Sequence, residues 1–545
     1  MWGALAMLLA VAGAAQARPT TPAAAADLIT DLPGFNASQW PTSWDQYSGY
    51  ITVDPSHGRK LFYWLQESQD EVNRDNQPLV LWQNGGPGCS SVGGGLMTEQ
   101  GAFRPTTDGK HVTRNEWSWS TVANMLYTES PAFVGFSYSK TASDNVVGDK
   151  RTADDLVAFI SGFYERHPQY ANRDLFLSGE SYGGHYVPNL AAAIVDHNAA
   201  LRAGLKAGAH IPLKGIATGN AWTVAEIDNL GAAFDWWSHA LVSDACLAGI
   251  AQTCNLTEVG PLMAASGLPA ASGGQFKAVV DMARALVPDA ANRGGCNFWQ
   301  NECSAEMGNV NIYEIYADVC LSSSSSTRRA EGDALLGARR HKSLHHHEAA
   351  MLRALGRAGD RADGGIVPSG SSNVPSGSAA GYDPCVDDET AVYLNTPAVQ
   401  AALHVDTGAT INRAWSDCSN TLQYSRQDLL TSMLPVYHKL LAQDGPDALH
   451  IYVFSGDVDG IVPVTGTRMW LDRLGLNASS SGNKAWKSWT TAVGQVGGYT
   501  TEYVTPTATN FTFVTVRNAG HMVPAAQPSR ALEMFQAFLA RTVPQ

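Results

Sequence analysis

The sequence predicts an α/β protein, with a central, mostly parallel sheet, helices on both faces and an inserted cap region. Three observations carry this. Apolar runs of strand length alternate with helical patterns along much of the chain. The turn Gly179-Glu180-Ser181-Tyr182-Gly183 lies between a strand-like run, Asp174–Ser178, and a helix-like run, Gly184–Val195. The alternation stops near residue 220 and resumes near 449, as it does when a separate unit is inserted between strands.

Taken in order, residues 48–66 read as a hairpin with its loop at Asp54–Gly58. Pro78–Trp82 is a short buried strand running into a Gly-rich loop, and Asn124–Tyr127 is another, with Ala132–Phe136 as its exit. Asp149–Arg166 reads as a helix, with Phe159 and Phe163 on one face. Leu213–Thr218 is a strand followed by Gly-Asn. Residues 220–320 are rich in Cys, Trp and Ala-based helical pattern and form the expected cap. Leu449–Ser455 and Phe511–Arg517 are strands, and a C-terminal helix spans Pro528–Leu539, with Leu532, Phe535 and Leu539 at helical spacing. The sheet core is therefore assigned to 27–219 and 383–542. Residues 321–382 differ from the rest. They hold a serine run, the basic pairs Arg328-Arg329 and Arg339-Arg340, His345–His347 and a Gly/Ser/Pro-rich tail. So little apolar surface cannot offset the entropy of ordering, and the stretch is read as an exposed, disordered linker. The histidine run is read as a solvated tract, so no metal is expected.

The chain has 545 residues, 44% hydrophobic, enough for a large core. A formal charge of −14 argues against nucleic-acid binding. Residues 1–17 read as a secretory signal, an apolar stretch from Ala4 to Ala14 ending in Ala15-Gln16-Ala17. That stretch is shorter than the about 20 residues a membrane span needs, and no other segment qualifies. Eight cysteines fit an oxidising compartment. Asn36, Asn255, Asn477 and Asn510 head glycosylation sequons. The expected location is the secretory pathway, ending in a vacuole- or lysosome-like compartment or outside the cell.

The pentapeptide around Ser181 carries the chemistry. A Gly-x-Ser-x-Gly turn between strand and helix pushes the serine hydroxyl out above the sheet edge. An acid and a histidine are then expected on turns after later strands. Gly456-Asp457-Val458-Asp459 follows one strand and Gly520-His521-Met522 follows the next. The residues alone leave Asp457 and Asp459 as alternatives for orienting the imidazole. Asn84-Gly85-Gly86-Pro87-Gly88 supplies a loop whose amides can approach an oxyanion, and the Tyr182 amide is the second donor.

Several longer motifs resemble those of serine carboxypeptidases: Trp82–Ser91, Gly135-Phe136-Ser137-Tyr138, Gly179–Pro188, Val392–His404, Gly456–Asp459 and Gly520–Pro524. The resemblance covers about 40–320 and 383–542. It implies an α/β-hydrolase fold and a serine-type carboxypeptidase that works at acidic pH through an acyl-enzyme and needs no cofactor. It implies a triad of Ser181, Asp459 and His521, oxyanion amides on Gly86 and Tyr182, and a site for the substrate's terminal carboxylate built from Asn84, Gly85, Glu99 and Glu180. It places Tyr182 and Met522 near the side-chain subsites, whose walls are expected largely from the cap. It pairs Cys89 with Cys418 and Cys320 with Cys385. Cys246, Cys254, Cys296 and Cys303 then remain in the cap, and nested 246–303 and 254–296 pairs are expected. Gln83 stands where the family usually has Leu, Gly101-Ala102 where it has Gly-Pro, and Asn518 where Gly is common; none is a proposed chemical group. The partners implied are peptides and proteins with free C-termini; a homodimer is left open.

Two other functions fit the same fold. An acyltransferase would use the same triad, but such relatives tend to lose the Asn84 and Glu180 equivalents that this chain keeps. A non-catalytic protective protein would not need the triad at all. Two Arg-Arg pairs in a polar linker between Cys320 and Cys385 also point to proteolytic maturation. Mature protein is expected to run as two chains on a reducing gel and as one without reductant, because both long-range disulfides span the cut. A single uncut chain after reduction would refute processing.

Overall fold

In the computed structural model, the residues described are 21–36, 38, 40, 44–254, 274–320, 383–408, 414–479 and 485–544. The signal segment, Asn255 and the 321–382 linker lie outside them. Ten strands form one sheet: β1 (Gln46–Asp54), β2 (Arg59–Gln66), β3 (Leu79–Gln83), β4 (Asn124–Thr128), β5 (Leu175–Glu180), β6 (Leu213–Gly219), β7 (His450–Gly456), β8 (Lys487–Thr490), β9 (Val496–Tyr503) and β10 (Asn510–Val516). Their order is β1-β2-β4-β3-β5-β6-β7-β10-β9-β8. The middle six, β4 to β10, are parallel, and an antiparallel pair flanks them at each end.

The near-continuous apolar runs follow from burial on both faces. In β5, Leu175 and Leu177 point into one core and Phe176 into the other. The same alternation separates Leu79 and Leu81 from Val80 and Trp82, and Ile451 and Val453 from Tyr452 and Phe454. Helices α1 (Asp149–Arg166) and α2 (Gly183–Arg202) cover the first face through Leu156, Phe159, Phe163, Leu190 and Ile194. The C-terminal helix (Pro528–Leu539) covers the second through Phe535 and Phe538, and Phe535 stacks on Trp119 with ring centroids 3.8 Å apart. Each fully buried side chain of this size contributes about 1.5–3 kcal/mol.

Between β6 and β7 the chain leaves the sheet. Helices α3 (Ala225–Ser238), α4 (Asp244–Thr253), α5 (Gly274–Leu286) and α6 (Cys296–Met307) follow β6, and α7 (Val386–Leu394) precedes the return to β7. A small separate core of Cys246, Leu247, Ala251, Trp299 and Cys303 sits among α4 to α6. Disulfides Cys246–Cys303 and Cys254–Cys296 cross it. Cys89–Cys418 and Cys320–Cys385 are the other two, and no described cysteine is free. The cap is seated by α3, whose Gly231 meets Gly466 of α8 (Val464–Arg473) so closely that a Cβ on Gly231 would lie 2.3 Å from the Gly466 Cα.

The antiparallel pair β8–β9 has no counterpart in the sequence reading. Val496-Gly-Gly-Tyr-Thr-Thr-Glu-Tyr lacks apolar alternation because Gly497 and Gly498 make room for Trp489 and for the Thr515 carbonyl. No described helix is long and apolar enough to cross a membrane.

Candidate active site

Ser181 stands at the turn between β5 and α2 with φ of 59°, a left-handed conformation that non-glycine residues rarely adopt. The turn is held from beneath: the Ser181 amide donates to the Gly219 carbonyl at 3.0 Å, and the Ser181 carbonyl accepts from Trp222 at 2.9 Å. Gly85 must be glycine here. A Cβ would lie 2.4 Å from the Tyr182 nitrogen and 2.6 Å from the Ser181 Cβ. That contact sets the Gly85-Gly86 backbone against the nucleophile turn. Among the described residues, neither the Gly86 nor the Tyr182 amide is spent on a backbone hydrogen bond, so both remain available as donors.

His521 and Asp459 lie on the turns after β10 and β7. The imidazole Nδ1 donates to Asp459 Oδ2 at 2.7 Å, and both side chains are almost wholly buried. Asp459 Oδ2 also accepts from Asn220 Nδ2 at 2.8 Å, and Oδ1 from the Ile461 amide at 2.8 Å. Asn220 in turn accepts the Gly456 amide at 2.9 Å. Asp457 does something else. Its Oδ1 accepts the Asn518 amide at 2.6 Å and so ties the acid turn to the histidine turn. Asn518 has φ of 60°, a conformation asparagine tolerates better than most residues, which accounts for its standing where glycine is common.

A further segment clamps these two turns. Residues 311–315, leaving the cap, run between them. The Ile312 carbonyl accepts from Gly460 at 2.9 Å, the Tyr313 carbonyl from the His521 amide at 2.6 Å, and the Ile315 amide donates to Val458 at 3.1 Å. The Tyr313 ring meets the His521 ring edge-on at 5.4 Å. Gly520 is glycine because a Cβ there would lie 2.3 Å from the Tyr313 carbonyl.

Asn84 organises the other half of the site. Its Oδ1 accepts from Trp82 Nε1 at 2.6 Å and the Gly95 amide at 2.9 Å. The amide nitrogen is thereby turned the other way and donates to Glu99 Oε1 at 3.1 Å and Glu180 Oε1 at 3.0 Å. Glu99 ends a wide helical turn, Val92–Glu99, in which Leu96 donates to the Ser91 carbonyl and Gln100 to that of Gly95, five residues back. Gly94 and Gly95 let that turn pack on Asn84 and Trp82. Burial raises both carboxyls, and Glu180 is held well above the usual carboxylate range because Glu99 is beside it.

These groups border one cavity of about 100 Å³, whose lining includes Asn84, Gly85, Gly86, Glu180, Ser181, His521 and Met522. Glu99 is fully buried behind Asn84. Tyr182 differs from the expectation for a subsite wall. Its ring is buried and its hydroxyl donates to Asp149 at 3.0 Å, so it does not line the cavity. The cap also contributes less than expected. Among the described residues no side chain of α3 to α6 lines the cavity; the tail of the cap does, through Asn311, Tyr313, Val319 and Cys320, with Pro384, Asp387 and Asp417 opposite. Asn36, Asn477 and Asn510 are exposed.

A serine on a strand–helix turn, a buried His–Asp pair and two unspent amides at the edge of a parallel sheet define a serine hydrolase of the α/β class. The model of the serine carboxypeptidase family matches residues 33–541, and the chain belongs to that family. It is 37% identical to serine carboxypeptidase-like 25 of Arabidopsis thaliana, over 95% of this chain and 92% of that one. It is 37% identical to serine carboxypeptidase 24 of the same plant, over 94% and 92%. Its fold matches that of a prohormone-processing carboxypeptidase, Kex1(Δ)p of Saccharomyces cerevisiae, with a TM-score of 0.63 at 20% identity, covering 95% of this chain and 96% of that one. The protein is a serine-type carboxypeptidase.

Sequence reading missed Asn220, the 311–315 clamp and the orienting role of Trp82. For Asn220 a signal existed, an Asn directly after the strand 213–219. The clamp acts through backbone carbonyls and leaves none.

Two substitutions separate the aspartates. Asp459→Asn leaves His521 without an anionic partner and is expected to lower kcat by roughly 10³–10⁴-fold. Asp457→Asn removes a turn contact and is expected to lower thermal stability by about 1 kcal/mol with a kcat loss of less than about tenfold. Equal kcat losses for the two, measured on one peptide substrate, would contradict this division.

Proposed function

We propose that the protein releases C-terminal amino acids one at a time from peptides, in an acidic compartment of the secretory pathway, through an acyl-enzyme on Ser181. The Asn84–Glu99–Glu180 cradle carries this reading, because it lies in the same cavity as Ser181. A carboxyl pair that holds a proton can donate to a substrate carboxylate; a doubly ionised pair repels it.

Ser181 Oγ attacks the scissile carbonyl while His521 accepts its proton, and Asp459 holds the imidazole in the required tautomer. The amides of Gly86 and Tyr182 receive the negative charge that develops on the carbonyl oxygen. As the peptide bond breaks, the imidazolium returns the proton to the leaving amine. The leaving group is a free amino acid whose carboxylate stays in the cradle. Water then repeats the sequence on the ester, and the shortened peptide departs. Retention of Asn84 and Glu180 favours this over acyl transfer to an alcohol.

Ser181→Ala is expected to lower kcat by roughly 10⁴–10⁶-fold. At pH 5, free-acid peptides are expected to be cut and their C-terminal amides left intact; equal cleavage of both would sink the assignment.

The pH dependence has a definite sign. Glu99 and Glu180 hold their proton above the ordinary carboxylate range. The protonated form therefore persists at pH 5 and is lost as pH rises through the raised values. Peptide KM should rise from pH 5 to 7, and thermal stability should fall over the same interval. Glu180→Gln is expected to raise peptide KM at pH 5, flatten its rise towards pH 7 and move ester hydrolysis less. A peptide KM that is flat with pH in the unmodified protein would refute the shared proton.

A further inference from the structure

We infer that Asp149 and His185 are positioning residues for the oxyanion hole, holding Tyr182 so that its amide faces the carbonyl under attack. The inference rests on the Tyr182 amide being an oxyanion donor, as the proposed reaction has it.

Tyr182, His185 and Asn189 recur at three and four residues, so they share one face at the start of α2. That face meets the first residue of α1, Asp149, whose carboxylate is buried. Oδ1 accepts the Tyr182 hydroxyl at 3.0 Å and the Tyr424 hydroxyl at 2.7 Å. Oδ2 accepts His185 Nδ1 at 2.8 Å and Asn189 Nδ2 at 3.2 Å. An aspartate at a helix start commonly accepts that helix's own free amides. Here none of the four donors is an amide of α1. All are side chains, three of them from the nucleophile turn and α2. Burial opposes ionisation of Asp149, but the hydrogen bonds from His185, Tyr424 and Tyr182 outweigh it and keep the carboxyl below its ordinary value.

His185 has no other polar side-chain contact. Its ring is wholly buried and Nε2 has no partner, so Asp149 takes its one side-chain hydrogen bond. The ring lies against that of Tyr182, with centroids 4.5 Å apart and planes within 19° of each other. Tyr186 and Tyr424 meet the Tyr182 ring edge-on at 5.1 and 5.3 Å. Tyr424 is itself held, since Gln423–Tyr424 pairs in parallel with Val146–Val147 just ahead of α1. The Tyr182 carbonyl accepts the His185 amide at 2.9 Å. Ring, hydroxyl and carbonyl are all engaged, while among the described residues the Tyr182 N–H makes no backbone hydrogen bond. A residue held at three points fixes the direction of its amide.

The same cluster reaches the other donor. The Tyr186 hydroxyl accepts the Gly88 amide at 3.2 Å, two residues beyond Gly86. Both amides that receive the developing charge are therefore tied to one aromatic cluster seated on Asp149. Donors fixed in advance need no reorganisation as charge forms. Loosening the cluster should then weaken the transition state and leave ground-state binding in the cradle alone.

The test uses purified full-length protein. Tyr182→Phe removes one hydroxyl, and Asp149→Ala removes the acceptor. Active sites are counted by end-point labelling of Ser181 with an organophosphonate, so that kcat refers to folded protein. The expected kcat per labelled site falls about tenfold in Tyr182→Phe and about 100-fold in Asp149→Ala. Affinity for an N-blocked amino aldehyde, which adds to Ser181 and places its oxygen between the two amides, should fall by the same factors. Peptide KM and inhibition by free leucine, a product that occupies the cradle, should stay within about twofold. A purely structural role would not produce that split. An unchanged kcat per labelled site in either folded variant, or product inhibition weakened as much as aldehyde binding, overturns the proposal and leaves the oxyanion reading standing. If Asp149→Ala does not fold, Tyr182→Phe decides. An aldehyde that binds the unmodified protein no more tightly than the matching alcohol overturns the oxyanion reading, and the proposal falls with it.

Discussion

Everything in the site depends on the direction in which one amide points. Asn84 sits between a tryptophan indole and two buried carboxyls, and its two ends are not interchangeable. The Trp82 indole and the Gly95 amide are both donors, so they fix the carbonyl end. The amide end is then committed to Glu99 and Glu180. Two carboxylates brought together in a desolvated pocket would repel each other strongly if both were ionised. In the proposed function a retained proton relieves that repulsion and lets the pair donate to a third carboxylate. Trp82, Gly94, Gly95 and a wide helical turn thus fix the direction of one side-chain amide.

The opposing half of the site is constrained by backbone. The histidine turn and the acid turn follow adjacent parallel strands, yet adjacency alone would not fix their loops. Asp457 ties one to the other, Asn220 holds the acid from the strand beside it, and residues 312–315 thread between them. Three backbone hydrogen bonds from the clamp reach Val458, Gly460 and His521. Because the clamp is the tail of the cap, the cap's main link to the chemistry is through positioning. Among the described residues, its helices contribute nothing to the cavity lining.

Much of this was legible in the sequence, and the exceptions have a common cause. Helix 149–166 and the C-terminal helix 528–539 have the bounds their periodicity suggests, because each buries one stripe against a sheet. The parallel strands were legible because burial on both faces demands continuous apolar runs. Strands β8 and β9 were not, because cross-strand neighbours at Gly497 and Gly498 replace side-chain pattern with close packing. The choice between Asp457 and Asp459 could not be read from local residues either. What divides them is which atoms lie across the fold, Asn518 for one and His521 for the other. The ring of Tyr182 is a similar case. Its position beside the nucleophile fixes its amide, but its ring is claimed by Asp149, at the start of α1.

The two halves of the site make opposite demands on protons. In the proposed reaction His521 accepts the Ser181 proton, whereas the Asn84–Glu99–Glu180 cradle needs a proton of its own to receive the substrate carboxylate. Burial is what raises the carboxyl pair. Burial would raise it less if the cavity wall carried a cation. The described lining has none, and Arg104, which acts on Glu99, is not part of it. The lack of a cation in the described lining therefore helps keep the Glu180 carboxyl raised.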